Sequence, residues 1–168
     1  METQRFGQGM MIAACVTGLA LLTLYFGGVE ERNRNPNQNP ITSADQDTAI
    51  VKLKRNRMGH YVASGTINHQ DVEFLLDTGA TDVVIPARIA RDLGLRRGAA
   101  NKAYTANGTV TVYSTTLNQL TIGKIELYNV RASINPGMER STILLGMSAL
   151  KQVEFLQQGD FLTLRQLY

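Results

Sequence analysis

An acidic residue that closes an apolar stretch and is followed by Thr and Gly is the first candidate for chemistry in this chain: Phe74-Leu75-Leu76-Asp77-Thr78-Gly79-Ala80-Thr81-Asp82. An apolar strand buries the approach to Asp77, and burial raises the cost of ionising a carboxylate. Thr78 supplies a hydroxyl that can hydrogen-bond across to a partner backbone. Gly79 lets the chain turn tightly and brings backbone N–H groups close to the carboxylate. A lone Asp-Thr-Gly is equally at home in a surface turn. The apolar triplet before it, and Ala80-Thr81 with Val83-Val84-Ile85-Pro86 after it, make the segment far more specific. A carboxylate so placed is suited to general acid and base work.

Other chemistries are poorly supplied. The 168 residues include one Cys and 2 His, which excludes an intrachain disulfide framework and leaves too little material for a cysteine or histidine metal cage. No metal or cofactor is therefore expected. Lys+Arg 17 against Asp+Glu 14 gives a net charge of +3, too mild to argue for a nucleic-acid partner. With 43% apolar and 18% charged residues the chain can bury a core. Any reaction must rest on carboxylates, hydroxyls and backbone groups.

The elements around the Asp77 segment divide into three regions. Residues 6–29 carry no formal charge and are dense in Ala, Leu, Ile, Val, Met and Phe, about the ~20 residues a helix needs to cross a bilayer core. Tyr25 and Phe26 stand near one end, where amphipathic rings favour the interface. A cleaved secretory signal is the rival reading, but the run is long for one and no A-x-A site follows. Ile12-Ala13-Ala14-Cys15 loosely resembles a lipoprotein processing box, with too little apolar sequence before Cys15 and too much after it. A retained single-pass anchor over 6–29 is the expectation. Residues 30–47, rich in Asn, Gln and Pro, read as a flexible polar linker. Residues 48–168 read as one folded domain.

Within that domain the signals are mostly β. Strands are expected at 50–54, 61–67 and 72–76, with Asn68-His69-Gln70-Asp71 as a turn. Val83-Val84-Ile85 is a short buried strand, Pro86 opens a helix at its first position, and Gly94 ends it. Residues 103–106 and 109–113 flank Asn107-Gly108 as a hairpin. Strands at 117–122 and 125–134 surround Gly123-Lys124, and Asn135-Pro136-Gly137 turns. Ile143-Leu144-Leu145-Gly146 leads into a short helix at 148–152, and strands at 155–156 and 161–164 close the domain. The order strand, turn, strand, apolar segment, helix occurs twice. Many short strands with one or two short helices point to an all-β, closed or sandwiched architecture. The basic run Lys52, Lys54, Arg55 and Arg57 reads as a solvated strand edge, with contact to phosphate or lipid headgroups as the sharper alternative.

These features together resemble the retropepsin-like aspartic proteases, in particular the small membrane-anchored bacterial members. The matching parts are Leu75-Leu76-Asp77-Thr78-Gly79-Ala80-Thr81, the flap-like hairpin around Asn107-Gly108, and Ile143-Leu144-Leu145-Gly146 ahead of the last helix. The resemblance implies a retropepsin-like closed β-barrel, homodimeric and preceded by a transmembrane helix. It implies an aspartic endopeptidase in which Asp77, Thr78 and Gly79 form the catalytic loop, and an extended peptide lies against Ala80 and a flap with Thr105, Ala106, Asn107 and Gly108 near its tip. Only one Asp-Thr-Gly occurs, so two copies would have to supply one Asp77 each. Membrane side is not settled by charge: Arg5 on one flank and Arg32 and Arg34 on the other differ by one residue, slightly favouring a cytoplasmic domain. The resemblance places the domain in the periplasm. A non-catalytic dimeric module binding an extended peptide in the same groove is the alternative, and a membrane-anchored β adaptor without a cleft is a third, weaker one.

Overall fold

The computed structural model describes residues 2–168 except 106 and 107, with side chains from residue 9 onward. The apolar run forms part of a 33-residue helix, α1 (Glu2–Arg34). Its section Gly9–Arg34 is long and apolar enough to cross a membrane, and that stretch is not buried against the rest of the protein. Met11, Leu19, Leu24 and Phe26 all stand exposed along it.

Eleven strands follow among the described residues: β1 (Ile41–Ala44), β2 (Thr48–Lys54), β3 (Val62–Ile67), β4 (Gln70–Leu76), β5 (Val83–Pro86), β6 (Ala100–Thr105), β7 (Gly108–Ile122), β8 (Ile125–Asn135), β9 (Ile143–Leu145), β10 (Glu154–Gln158) and β11 (Phe161–Leu167). Two short helices interrupt them, α2 (Ala87–Asp92) and α3 (Met147–Leu150). A seven-stranded sheet has the order β3-β4-β9-β5-β8-β7-β6, and β3 also pairs with β7. That last pairing, Thr66↔Thr121 and Ile67↔Leu120, closes six of the strands into a barrel. The expected closed β architecture is therefore present. Phe74, Ile67, Leu117, Leu120 and Ile143 fill its interior at 0% exposure. A smaller sheet, β1-β2-β11-β10, packs outside it.

The repeated order of elements has a structural counterpart. The third strand of each half pairs in parallel with the second strand of the other: β9 with β4, and β5 with β8. The first strands, β3 and β7, pair with each other, and β5 meets β9 at Val84↔Leu144. Each half completes the other's sheet.

Several boundaries differ from the sequence expectation. The first hairpin turns on Asn68 and His69 at φ of 49° and 67°, so β4 begins two residues early, at Gln70. Pro86 ends β5 rather than opening the helix: at φ −56° and ψ 138° it is the residue before α2, still extended. The segments at 109–113 and 117–122 form one 15-residue strand, because Ser114, Thr115 and Thr116 keep pairing with β8. Lys52 and Lys54 do not lie on a sheet edge, since β2 runs between β1 and β11. They point outward while Val51 and Leu53 point in, both at 0% exposure. The alternation of one interior strand explains the lysines.

The polar tract 30–47 also departs from a loose tether. α1 continues through Arg34, and Asn35 and Asn37 are buried. Asn37 Nδ2 donates to the carbonyls of Lys54 (2.9 Å) and Val62 (2.6 Å), and Asn37 Oδ1 accepts the Lys54 N–H at 2.6 Å. Asn35 Nδ2 reaches Ser64 Oγ (3.1 Å) and Glu73 Oε2 (3.0 Å), while Arg34 pairs with Glu73. A residue type that cannot build an apolar core can still stitch backbone groups that would otherwise be orphaned. Replacing Asn37 by Ala strips three backbone groups of their partners. Asn37→Ala is expected to destabilise the full chain by about 2–3 kcal/mol in urea titrations in mild detergent. Asn39→Ala, at an exposed position, should stay within about 0.5 kcal/mol.

Candidate active site

β4 carries Phe74-Leu75-Leu76 to the loop at Asp77. Its register against β9, Phe74↔Ile143, Leu75↔Leu144 and Leu76↔Leu145, sets the second apolar segment beside the first. Phe74 is fully buried, whereas Leu75 and Leu76 are only half-buried, so the approach to Asp77 is less enclosed within one chain than the apolar triplet suggests. Asp77 is itself half-buried, and Thr78 and Gly79 are exposed.

The loop is held almost wholly by backbone. Asp77 N–H donates to the Leu145 carbonyl at 3.1 Å, and Ala80 N–H to the Asp77 carbonyl at 3.2 Å. Met147 N–H reaches the Ala80 carbonyl at 2.8 Å and Ser148 N–H the Thr81 carbonyl at 2.9 Å. Gly79 N–H donates to Asp77 Oδ1 at 2.9 Å, as expected of a glycine there. This bond fixes the orientation of the carboxylate relative to the turn. Gly146 is where the two loops come closest. A Cβ added there would lie 2.1 Å from the Asp82 carbonyl oxygen and 2.6 Å from that of Ala80. No side chain fits in that space.

Two further positions support the loop, and sequence reasoning passed over both. Ser148, buried at the start of α3, accepts the Val83 N–H at 2.9 Å and donates to the Arg131 carbonyl at 2.7 Å. It thereby joins β5, β8 and α3 behind Asp77. Asp82 Oδ1 accepts from Arg131 Nε at 2.7 Å. A serine opening a short helix and an Asp three residues past an Asp-Thr-Gly are too common to have singled out either.

The candidate peptide-binding residues are placed as follows. Ala80 is half-buried and lies in the interlocked loop. Thr105 and Gly108 face each other across the β6–β7 register, and Thr105 Oγ1 donates to the Gly108 carbonyl at 2.8 Å. Ala106 and Asn107 lie outside the described residues. β7 pairs with β8 only from Tyr113 onward, so residues 108–112 and β6 form a two-stranded arm beyond the barrel. Tyr104 on that arm is 85% exposed. A cavity of 280 Å³ adjoins the loop, bounded by Tyr61, Leu76, Thr78, Leu150, Phe155 and Leu162 among others. Tyr61 is buried and its hydroxyl has no hydrogen-bond partner. A larger hollow of 770 Å³ lies against Ser64, Asp71 and Asp92 and shares no residue with the Asp77 loop.

The interlock predicts a steep local sensitivity. Gly146→Ala must push two carbonyls away and should lower stability by about 2–3 kcal/mol in thermal unfolding. Gly137→Ala, whose new Cβ would meet its nearest neighbour at an ordinary 3.5 Å, should change stability by less than about 0.5 kcal/mol.

Comparison with known proteins agrees with this arrangement. The family model described as "gag-polyprotein putative aspartyl protease" matches residues 63–152, from β3 through the end of α3, and so contains the entire interlock. A crystal structure of a retropepsin-like aspartic protease from Rickettsia conorii superposes with a TM-score of 0.58 at 29% identity, covering 77% of this chain and 96% of that one. An uncharacterised protein of the cobV 5′ region of a Sinorhizobium species is 29% identical over 96% of this chain and 75% of its own length. An uncharacterised protein of Rickettsia prowazekii is 31% identical over 61% of this chain and 45% of its own length. With its Asp77 loop locked beneath β9 and α3 inside a closed barrel, the chain belongs to the retropepsin-like aspartic protease family.

Proposed function

We propose that the protein is a membrane-anchored aspartic endopeptidase that works as a homodimer, each copy contributing Asp77. The carrying observation is the Asp77-Thr78-Gly79 loop itself: it is braced by backbone from the opposite half of the barrel, yet it presents a single carboxylate. Asp71, Asp92 and Asp160 have no Thr-Gly after them, and Asp82, farther along the same loop, is paired with Arg131. Peptide hydrolysis by carboxylates needs two. One takes a proton from water as the oxygen attacks the scissile carbonyl. The other, protonated, polarises that carbonyl, and a proton then passes to the departing nitrogen. Two carboxylates in contact cannot both ionise, so they share one proton and titrate as a unit.

Further observations favour a second copy at this face. Thr78 is exposed beside a largely apolar cavity, and Phe155 and Leu156 on the outer strand β10 are 46% and 67% exposed. A twofold pairing would bring two such loops and two such surfaces together. In this reading Thr78 bridges the two loops. The β6–β7 arm, whose last described pair is Thr105 and Gly108, covers an extended peptide bonded through its backbone, with Ala80 on the floor of the groove. α1 is the anchor over residues 6–29, and residues 48–168 are the catalytic domain. The domain stands on the periplasmic side, as in the anchored bacterial proteases that the chain resembles. Confinement to a plane raises the effective concentration of partners.

The test uses the full chain in nanodiscs or mild detergent with an unstructured protein as substrate at mildly acidic pH. Asp77→Asn should reduce cleavage by roughly 10³-fold or more. Mixing wild type with an excess of Asp77→Asn chains should lower activity per wild-type chain in proportion to the wild-type fraction, because mixed pairs hold only one functional acid. Cleavage that survives Asp77→Asn would eliminate the endopeptidase reading, and activity that ignores the mixing ratio would eliminate the shared dyad. Substrate that binds but stays intact with wild type would favour a peptide-binding module.

A further inference from the structure

The loop between β2 and β3 carries Arg55-Asn56-Arg57-Met58-Gly59-His60, and peptide hydrolysis gives it no task. It is joined to the end of α1. Asn56 Nδ2 donates to the Arg34 carbonyl at 2.9 Å, the last residue of the helix. Carbonyls of a helix's last turn point along its axis, beyond the C-terminal end. Asn56 therefore sits on the helix axis just past Arg34. It is buried, and it also shapes the loop: its Oδ1 accepts the N–H groups of Met58 (3.0 Å) and His60 (2.9 Å), and its own N–H donates to the His60 carbonyl at 2.8 Å. With Asn56 turned inward, Arg57 and Met58 form the outward tip, Met58 at 75% exposure.

The position of this tip follows from helix geometry. The uncharged run ends at Val29, five residues before Arg34, or about 7.5 Å of helix. The headgroup layer on each side of a bilayer is roughly 5–8 Å thick. The Arg34 carbonyl then lies at the outer boundary of that layer, and a loop bonded to it lies beside the headgroups. Asn35 and Asn37 hold the domain against the helix end, so the loop cannot swing away freely. Charge agrees with the placement. Arg55 is paired with Asp160, and Arg34 with Glu31 and Glu73. Arg32, Lys54 and Arg57 make no ion pair among the described residues, and against them in this region stands Glu30.

We propose that the Arg57–Met58 tip docks on the anionic headgroup surface of the same bilayer that α1 crosses, Arg57 meeting phosphate and Met58 entering the interfacial layer. This rests on the anchor reading of α1. A cation next to an exposed apolar side chain is the pairing that interfacial contacts use, and anionic lipid attracts Lys and Arg within a Debye length of the surface. The contact gives the domain a third point of attachment besides the helix and the asparagine junction, fixing its height and tilt over the membrane.

The chain contains no Trp, so single substitutions give single fluorophores. Full-length Leu19→Trp and Met58→Trp proteins are reconstituted in vesicles of zwitterionic lipid, or of zwitterionic plus anionic lipid, with nitroxide labels placed shallow or deep. Leu19→Trp should lose intensity to the deep label in both lipids. Met58→Trp should lose intensity to the shallow label and shift its emission to the blue, more so with anionic lipid. Adding Arg57→Glu to Met58→Trp should diminish that loss, and adding it to Leu19→Trp should change nothing. A Leu19→Trp signal untouched by the deep label would remove the anchor itself. Quenching of Leu19→Trp with none of Met58→Trp would leave the anchor and overturn the docking. Quenching of Met58→Trp indifferent to lipid charge would overturn the anionic surface as the partner. A blue shift that grows with protein density and ignores lipid would assign the tip to a second copy instead.

Discussion

Two loops from opposite halves of the barrel pass within carbonyl distance of each other at Gly146, and the rest of the domain is arranged so that they can. The Asp82 and Ala80 carbonyl oxygens stand where any side chain at 146 would have to begin. Because the approach is that close, Met147 and Ser148 can donate their N–H groups into the Asp77 loop, and Asp77 can donate its own to Leu145. The carboxylate is therefore oriented by main-chain groups, which have no rotamers to lose. The exchange of strands between halves, β9 onto β4 and β5 onto β8, delivers both loops to the same place. Ser148 then fastens the crossing from behind, through Val83 and Arg131.

The same economy leaves the chain unfinished on one side. An exposed Thr78, a buried tyrosine without a partner for its hydroxyl and two large apolar side chains on β10 lie around one cavity, next in sequence to the half-buried Asp77. A domain of this size can cover its core, and this one does so with the barrel interior. The surface next to the loop keeps Phe155 and Leu156 exposed. A buried hydroxyl without a partner carries a free-energy cost, and Tyr61 bears it inside the fold. The proposed pairing of two Asp77 loops would use this same surface.

The junction with α1 has a different chemistry. Asn37 and Asn56 satisfy carbonyls and N–H groups of β2, β3 and the helix end with amide side chains, and Asn35 reaches the side chains of Ser64 and Glu73, in a place where an apolar plug would have left those groups stranded. An asparagine-rich segment can thus be a joint as readily as a spacer, and composition cannot tell the two apart. Such a joint couples the orientation of the helix to that of the barrel.

The Asp77 loop, the Ile143–Gly146 segment, the tight turn at Asn68-His69 and the apolar helix were all legible in the order of residues, because each is specified by neighbours within a few positions. Apolar alternation, turn-forming residues and a long uncharged run act locally, and they carry the family resemblance with them. The parallel pairings across the two halves, the Ser148 bridge, the Asp82–Arg131 pair and the asparagine joint were not legible. They link positions far apart in the chain, and at least one partner in most of them is a backbone group that every residue possesses, so the spacing of residue types does not mark them in advance. The merging of two expected strands into β7, and the seating of Lys52 and Lys54 on an interior strand, have the same origin. Local pattern chose the elements, whereas their partners depended on which distant backbone groups the closed barrel brought within hydrogen-bonding reach.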